Sequence, residues 1–539
     1  MSLEERLAIQ EFETLATAMV LRGYYKPGGD SGTSLRELMA KSNPALYPHV
    51  RDVERVDIGA LTYVLKRLPD GFWKIRQITI AREISPEVQA DFAPVKTTAR
   101  RRPTYQTGTD SYATAFRGGM TDLLDFISAI TCYQIEADKI RTKYRHYKEK
   151  KVEDPTRFAV WDELEALDRP KEMTAEQRHS LLHALSVEFH ADYGEVKELD
   201  SALEGRFPEV VQSITRSGAK DLMVVFADSF GIVADYNRRA KVWTQTVSRA
   251  IDEFGFGEKP MFIVSSNQHS IVNCLSPYLR EAAKAKGWDD PTLYANTKDL
   301  IGDETAEQAR RTRDAEGGIH RLETPEHMPF CQVIDLAVVD PELVDARVRW
   351  THRPDAVILN MDYAFGEEGF FLFNELLEAF GSRLRGIYIM GKAGTFVGKR
   401  GDIMLPTFFV KLGTGDVYDI SDCLGPEGFE GLADVEVHSG GPMLTVAGTF
   451  LQNREVLEYF RDRWHALGVE MEGTPYARAI AQARLRGRIG EDVDLGVAYY
   501  GSDAPLSSDL LSVPLGAEGI GPAYAVTIAI LRNILSRPA

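Results

Sequence analysis

Apolar residues recur at helical spacing in the first 220 residues and form short, fully apolar runs in the rest of the chain. Residues 3–22 and 121–147 predict amphipathic helices. After residue 330, predicted strands cover residues 331–339, 356–360, 386–390, 403–410, 435–438, 443–446 and 495–500. The predicted helices between and after them cover about 366–381, 452–466, 473–486 and 518–536. This alternation predicts a mixed α/β sheet with helices on both of its faces.

The length and the changes of pattern predict three regions. A chain of 539 residues is too long for one ordinary domain. Residues 1–150 are predicted to be mainly helical, with Ser34 and Glu37 in a capping box. Residues 151–330 are predicted to form a central α/β region, in which strands at 222–226 and 261–264 flank one helix and run parallel, followed by a polar excursion at 287–328. Residues 331–539 form the third region.

Composition narrows the class of protein. The formal net charge is −17 and the isoelectric point is near 5.3, which argues against nucleic acid or an anionic membrane as the main partner. The cysteines are scattered without a Cys-x-x-Cys pair, as expected for reduced thiols in a cytoplasmic protein. The amino terminus is acidic and does not resemble a signal peptide, and no apolar run approaches the ~20 residues of a membrane span.

Two polar features invite interpretation as anion sites. The helix at 121–147 ends in a basic run that includes Lys139 and Arg141, and the turn at 265–269 follows an apolar strand at the start of a helix. A basic run is more often a solvated helix face, and a turn of this composition is more often an ordinary helix N-cap. We therefore interpret the run as a solvated face and the turn as an N-cap.

Two acidic positions in the last third of the chain indicate a small-ligand site. The strand at 493–500 leads to Asp503, and Glu472 stands at the start of a helix rich in small residues. In an open α/β sheet, ligands bind at the carboxyl ends of the strands. A glutamate can hold two vicinal hydroxyls and an aspartic acid can protonate a leaving group. Cleavage of a bond between ribose and a nucleobase requires both tasks.

Four segments in this order resemble a known superfamily. They are Gly391-Lys392-Ala393-Gly394 with Gly401-Asp402-Ile403-Met404-Leu405-Pro406, then residues 445–451, then Gly468-Val469-Glu470-Met471-Glu472-Gly473, and finally Ser502-Asp503. Together they are similar to the C-terminal half of the purine nucleoside phosphorylase, uridine phosphorylase, methylthioadenosine nucleosidase and AMP nucleosidase superfamily. The resemblance covers about residues 350–539. It implies a phosphorylase-like sheet in this part of the chain.

The resemblance assigns roles to the acidic positions. Asp503 would protonate the purine base as it leaves, and Ser502 would hold the Asp503 carboxyl in place. Glu472 would bind the ribose hydroxyls and stabilise the developing cation, and Met471 would pack under the sugar. Glu470 is a further substrate-binding candidate. The ordinary alternatives are a helix N-cap for Asp503 and complementation of the helix dipole for the glutamates.

Other positions complete the predicted site. Phe450 is the candidate ring against the base, and Gly391 and Gly394 would let the backbone of a turn approach the ligand. Lys392 replaces the superfamily's usual small residue and could bind a phosphate. Tyr499 stands where many members carry an arginine that holds phosphate or water. The loop at 362–366 is predicted to line the pocket, and His438, Arg400 and His352 are possible phosphate or sugar contacts.

The predicted function is therefore cleavage of the N-glycosidic bond of a purine nucleoside or 5′-nucleotide, by a nucleosidase or a phosphorylase. The resemblance also implies a homo-oligomer. We expect no organic cofactor and no metal, with inorganic phosphate as a possible co-substrate. The alternative from another class is a catalytically silent nucleotide sensor, with residues 1–330 as an interaction module. The absence of the arginine at Tyr499 favours the sensor, whereas the presence of Asp503 and Glu472 favours the enzyme.

Overall fold

The computed structural model describes residues 3–99, 102–116, 119–150, 159–167, 173–218, 222–228, 230, 233–325, 328–350, 353–432, 435–507 and 515–536. The chain forms two compact units. Unit 1 comprises residues 1–232 and 447–457, and unit 2 comprises residues 233–446 and 458–539. The predicted boundaries at residues 150 and 330 differ from this division, because residues 151–330 contribute strands to two separate sheets.

Unit 1 is mainly helical and contains one five-stranded sheet. Its helices are α1 (Leu3–Arg22), α2 (Asp30–Ser42), α3 (Ile58–Arg67), α4 (Pro86–Asp91), α5 (Gly119–Lys150), α6 (Ala159–Ala166), α7 (Ala175–Glu188), α8 (Tyr193–Ala202) and α9 (Phe207–Arg216). Its strands are β1 (Tyr24–Tyr25), β2 (Gln77–Ala81), β3 (Thr104–Gln106), β4 (Ser111–Ala115) and β5 (Met223–Phe226). The strand order is β1-β5-β2-β4-β3, with β2 parallel to both of its neighbours.

Helix α5 confirms the long helix predicted at 121–147. Its apolar side chains at Leu123, Phe126, Ile127 and Ile130 follow the spacing of one helical face and are buried. The predicted capping box at Ser34 is wrong, because α2 already begins at Asp30. Among the described residues, none of the helices combines the length and the apolar character that a membrane crossing needs.

Unit 2 contains the larger sheet. Its helices are α10 (Val233–Glu253), α11 (His269–Leu275), α12 (Pro277–Lys286), α13 (Asp290–Ala295), α14 (Glu304–Glu316), α15 (Glu367–Phe380), α16 (Arg454–Trp464), α17 (Gly473–Leu485) and α18 (Ile520–Leu535); the first residues of α16 fall in the 447–457 segment. Its strands are β6 (Met261–Ser266), β7 (Ile319–Leu322), β8 (Cys331–Asp335), β9 (Val357–Asp362), β10 (Leu384–Thr395), β11 (Ile403–Leu405), β12 (Phe408–Lys411), β13 (Val417–Asp419), β14 (Val437–Ser439), β15 (Pro442–Thr445), β16 (Gly468–Glu470) and β17 (Asp494–Asp503).

The centre of this sheet is parallel and is covered on both faces. Strands β9, β6, β10 and β17 are adjacent in that order and run in the same direction. Alternate side chains of β6, for example Ile263 and Val264, enter two different apolar clusters. One cluster includes residues of α10, α15 and α17, and the other includes residues of α11, α12 and α18. The predicted mixed α/β sheet with helices on both faces is therefore confirmed.

The central region differs from its prediction in two respects. Strands β5 and β6 flank helix α10 along the chain, as predicted, but they belong to the sheets of different units and are not a parallel pair. Local apolar runs do not encode the pairing partner of a strand. The residues from 287 to 328, predicted as a polar excursion, include helices α13 and α14 and strand β7. Helix α14 is almost entirely polar, which is why its sequence suggested a loop.

Candidate active site

The carboxyl ends of the parallel strands bring polar residues to one edge of the unit 2 sheet. Ser266 ends β6, Asp362 ends β9 and Asp503 ends β17. Ser266 is paired directly with Asp362. Burial raises the pKa of Asp362, while His269 opposes that shift. Polar and acidic side chains therefore lie at the carboxyl ends of the strands, where open α/β sheets bind ligands.

The turn after β6 behaves as the sequence indicates. Its Asn267 side-chain oxygen accepts hydrogen bonds from the backbone N–H of Ser270 at 3.0 Å and from the Ser270 hydroxyl at 2.7 Å. The Gln268 backbone has a φ of 57° and donates to the Ser266 hydroxyl at 3.0 Å. The turn is thus held by its own side chains, as in an ordinary helix start.

Strand β10 lies between the strand that carries Asp503 and the strand that leads to Glu472. Gly394 of β10 is paired with Asp503 of β17 on one side and with Val469 of β16 on the other. Adjacent strands lie about 4.8 Å apart, so the Asp503 and Val469 backbones are about 10 Å apart. Glu472 follows Val469 by three residues, at the start of α17. Because β16 runs antiparallel to β10, the chain after Val469 continues towards the level of Ala393, and the pairing fixes the position of Val469 relative to Asp503.

Glu470 is buried at the junction of β16 and α17, and its carboxylate holds this junction through hydrogen bonds. Its side chain is only 4% exposed. Its carboxylate accepts from the Thr445 hydroxyl at 2.5 Å, from the backbone N–H groups of Glu472 and Gly473 at 2.6 and 2.5 Å, and from the Tyr499 hydroxyl at 3.4 Å. Burial raises its pKa to about 7, against the effect of these four donors. The internal bonds occupy both of its oxygens.

Glu472 and Met471, in contrast, are partly exposed. Glu472 is the N-cap residue of α17, but its side chain makes no capping hydrogen bond; the Glu470 carboxylate and the Thr445 hydroxyl accept from the N–H groups of Gly473 and Thr474 instead. Its charge acts on a group of buried tyrosines. Burial first, and then the charges of Glu472 and Asp362, raise the pKa of Tyr476. The pKa of Tyr363 rises for the same reasons, with the Tyr500 phenol contributing, and its buried hydroxyl has no partner among the described residues.

The segment at 390–394, predicted as a ligand-binding turn, is part of the twelve-residue strand β10. Its glycines make room for side chains of β17. A Cβ on Gly391 would lie 2.3 Å from Cε1 of Tyr499, and a Cβ on Gly394 would lie 2.9 Å from Oδ1 of Asp503. Lys392, between them, is exposed. Tyr499 is buried, and burial together with the charge of Glu470 raises its pKa well above the usual range.

Ser502 and the neighbouring loop hold the end of β17. The Ser502 hydroxyl donates to the Ala393 carbonyl at 3.3 Å, and the Ser502 carbonyl accepts from Arg400 Nε at 3.1 Å. Backbone bonds of 2.8 and 2.9 Å join the 401–402 segment to Gly501. In this arrangement Ser502 fixes the strand end beside Asp503. Arg400 contacts the protein backbone, and His352 lies outside the described residues.

One group of side chains near this loop has the composition of a metal site. Ligand atoms of Asp402, Glu436 and His438 all lie within 4.8 Å of one another. Both Asp402 oxygens already accept backbone hydrogen bonds, from Lys399 at 2.8 Å and from Glu436 at 3.1 Å. His438 Nε2 lies 3.7 Å from the Asp402 carboxylate. The Asp402 hydrogen bonds hold this loop together. Its carboxylate and imidazole side chains are also ligand types that bind divalent cations.

Phe450 lies in the segment at 447–457, which belongs to unit 1. Its ring is 2% exposed, and its centroid lies 5.2 Å from that of Tyr63 and 6.0 Å from that of Tyr47. All three rings belong to the core of unit 1. Within unit 1, Phe450 is therefore a packing residue.

Tyr476 is a site residue that the sequence did not reveal. Its hydroxyl accepts from the Ala364 backbone N–H at 3.0 Å, lies 3.2 Å from the Ala364 carbonyl, and lies 3.2 Å from the Ser265 hydroxyl. One phenol thus joins α17 to the end of β6 and to the loop after β9. The only signal in the sequence was a tyrosine one turn after Glu472, which is also the position of an ordinary core residue.

Several solved structures share local similarity with the chain. The native futalosine hydrolase of Helicobacter pylori strain 26695 is 13% identical over 52% of this chain and 98% of its own, with a TM-score of 0.30. The methylthioadenosine/S-adenosyl homocysteine nucleosidase of Campylobacter jejuni is 14% identical over 52% and 98%, also with a TM-score of 0.30. Uridine phosphorylase of Schistosoma mansoni with thymidine is 12% identical over 53% and 89%, with a TM-score of 0.32.

Curated proteins contain no match to this chain. A family model does match it, in two segments that cover residues 33–286 and 280–536. Together these segments include nearly all of both units. The chain therefore belongs to the family of unknown function DUF6909.

Proposed function

We propose that this protein cleaves the N-glycosidic bond of a purine nucleoside or purine 5′-nucleotide. The observation that supports the proposal is the pairing of Gly394 with both Asp503 and Val469, which lie on the two sides of β10, with Glu472 three residues after Val469. The motif resemblance supports the roles of these residues. The reaction needs no organic cofactor and no metal.

In the proposed reaction, the bond between the anomeric carbon and the base nitrogen breaks and its electron pair leaves with the base. Asp503, in its carboxylic acid form, gives a proton to the purine ring as that charge develops. Glu472 accepts hydrogen bonds from the ribose hydroxyls and stabilises the positive charge on the sugar. Met471 packs against the sugar. Water adds to the anomeric carbon and releases one proton to solvent, and Asp503 takes up a proton from solvent.

The charges at this edge favour water as the nucleophile over phosphate. Asp503 is protonated in the proposed reaction, and Glu472 is the carboxylate whose charge repels a phosphate dianion and attracts a cationic sugar. Tyr499, in the position of the superfamily's arginine, is neutral and donates to Glu470. Lys392 is an exposed cation of β10 and is our candidate for a 5′-phosphate contact.

The direct test is base release from a panel of nucleosides and 5′-monophosphates, with and without inorganic phosphate, followed by chromatography. We expect release from a purine substrate that does not depend on phosphate. Asp503→Asn should lower kcat by about 10²- to 10⁴-fold, because the proton donor is lost. Asp91→Asn, an exposed aspartate of unit 1, is the matched control and should leave kcat unchanged.

The alternative is a nucleotide sensor without turnover, and the specific observation in its favour is the loss of the arginine at Tyr499. Calorimetric binding of the same panel separates the two functions. Purine nucleotide binding without release of base by the unmodified protein would support the sensor and contradict the enzyme. In either case we expect a homo-oligomer, which light scattering of the purified protein would measure.

A further inference from the structure

A small cavity in unit 1 is lined by four cations and no carboxylate among the described residues. Its volume is about 200 Å³. The charged residues of its wall are Lys74, Arg76, Arg141 and Arg216, and Trp73 and Tyr133 supply aromatic surface. The chain as a whole has a net charge of −17, whereas the wall of this cavity is positively charged. A cavity with this wall attracts a small anion.

The best-placed cation is Arg141 of α5. Its side chain is only 14% exposed. Its guanidinium donates from Nε to the Ile214 carbonyl at 3.2 Å and lies 3.5 Å from the Ser217 hydroxyl, so it is held at the end of α9. The basic run that ends this helix looked like a solvated face in the sequence. The structure instead places Arg141 in a cavity wall.

The carboxylates around the cavity do not balance its cations. Arg141 shares Asp138 with Arg36, at 2.8 and 3.3 Å. Lys74 contacts Glu209, and Arg76 lies 3.9 Å from Asp110. Arg216 has no hydrogen-bond or ion-pair partner among the described residues. The four cations of the wall, together with Arg36 outside it, share three carboxylates, so this group has an excess of positive charge that an anion would balance.

A buried donor without an acceptor points to the same chemistry. Trp73 is 5% exposed, and its buried indole N–H has no partner in the part of the chain that the structure describes. An unsatisfied buried donor costs roughly 1–3 kcal/mol, so it is expected to have a partner when the site is filled. Trp73 is also a wall residue, so an anion that the guanidinium groups bind in the cavity would lie near this residue.

We propose that this cavity binds a compact phosphate-bearing dianion, of the size of inorganic pyrophosphate or a small phosphate ester. Its volume equals that of roughly six or seven waters. That is below the 300–1,000 Å³ typical of cavities for drug-sized ligands, which excludes a whole nucleotide. The site lies within unit 1 and does not depend on the reaction proposed for unit 2.

The test is calorimetric titration of the full-length protein with pyrophosphate and with orthophosphate at constant ionic strength. We expect one pyrophosphate site per chain, with Kd below about 1 mM. Arg216→Glu should weaken it at least about tenfold, because it reverses the charge of the exposed cation in the wall. Arg6→Glu is the matched control, since Arg6 is an exposed arginine of α1 in the same unit, and it should leave Kd unchanged.

Trp73→Phe tests the indole donor while retaining an aromatic ring. It should weaken binding several-fold and remove most of the change in tryptophan fluorescence that pyrophosphate causes. Lys392→Ala should not affect this binding, which excludes the edge of the unit 2 sheet as the place where the anion binds. Absence of binding, equal weakening by Arg6→Glu, or loss of binding in Lys392→Ala would each overturn the proposal.

Discussion

Two glutamates separated by one residue have opposite surroundings in this protein. Glu470 is buried and accepts four hydrogen bonds from the protein, whereas Glu472 is partly exposed and does not cap its own helix. Glu470 thus holds the turn before α17, and in the proposed reaction Glu472 is the one that contacts the sugar. The sequence could not separate these roles, because both residues are acidic positions at the start of the same helix.

A third carboxylate, Asp422, gives a prediction for stability. Its Oδ1 accepts from the backbone N–H groups of Leu424 and Val497 at 2.9 and 3.1 Å, while its buried Oδ2 has no partner among the described residues. Burial raises its pKa from 3.8 to about 7. The folded state therefore prefers the protonated form, and the stability that this form contributes below pH 4 is lost as the pH rises through 7.

Asp422→Asn should remove this pH dependence, since the amide keeps an acceptor for both N–H groups and never ionises. In the unmodified protein, this residue lowers the free energy of unfolding by about 1.4 kcal/mol per pH unit between pH 4 and 7. Thermal unfolding at several pH values measures the slope. Asp91→Asn should retain the slope of the unmodified protein. An Asp422→Asn protein with that same slope would contradict the prediction.

At the scale of elements, β10 shows what a sequence pattern can and cannot convey. Gly391-Lys392-Ala393-Gly394 looks like a turn, since glycine pairs punctuate loops. In the structure these glycines continue a strand, and their missing side chains accommodate Tyr499 and Asp503 of β17. The apolar runs predicted most strands of unit 2 to within a few residues. They could not predict the neighbour of a strand, because contacts between distant segments leave no local pattern.

Gly391→Ala should therefore be strongly destabilising. The added methyl group would lie 2.3 Å from Tyr499 Cε1, and the ring cannot move without breaking its contact with Glu470. Overpacking of this kind costs about 1–3 kcal/mol, and chemical denaturation would measure it.

Two control variants define this effect. Tyr499→Phe removes only the hydroxyl and should cost about 1 kcal/mol. Gly521→Ala, in helix α18 where a methyl group meets nothing within 4 Å, should be neutral or stabilising. A Gly391→Ala protein as stable as Gly521→Ala would show that the strands separate more easily than the structure indicates.

For the whole molecule, the division into two units is not a division of the chain into two successive parts. Unit 1 takes the segment 447–457 from within the sequence of unit 2. The strands and helices on both sides of this segment were predicted from local apolar patterns. The sequence did not predict that this segment belongs to unit 1, because Phe450 has the same local pattern whether it lines a ligand pocket or packs in another core.

Phe450→Ala distinguishes these two possibilities. Because Phe450 packs against Tyr47 and Tyr63 in unit 1, its truncation should cost about 3–5 kcal/mol and lower the unfolding temperature. It should leave KM for the nucleoside or nucleotide unchanged in the folded protein. Phe92→Ala, at an exposed position of unit 1, is the control and should change neither quantity. A raised KM with unchanged stability would instead support a role in binding the base.

The placement of residues 447–457 also has a consequence for synthesis on the ribosome. Unit 1 is not fully assembled when residue 232 has been made, because part of its core arrives more than two hundred residues later. At about 5–20 residues per second, the delay is about 10–40 s. During that time the nascent amino-terminal part waits with its aromatic pocket around Tyr47 and Tyr63 unfilled. Chaperone dependence and the timing of translation should therefore matter for the yield of this protein.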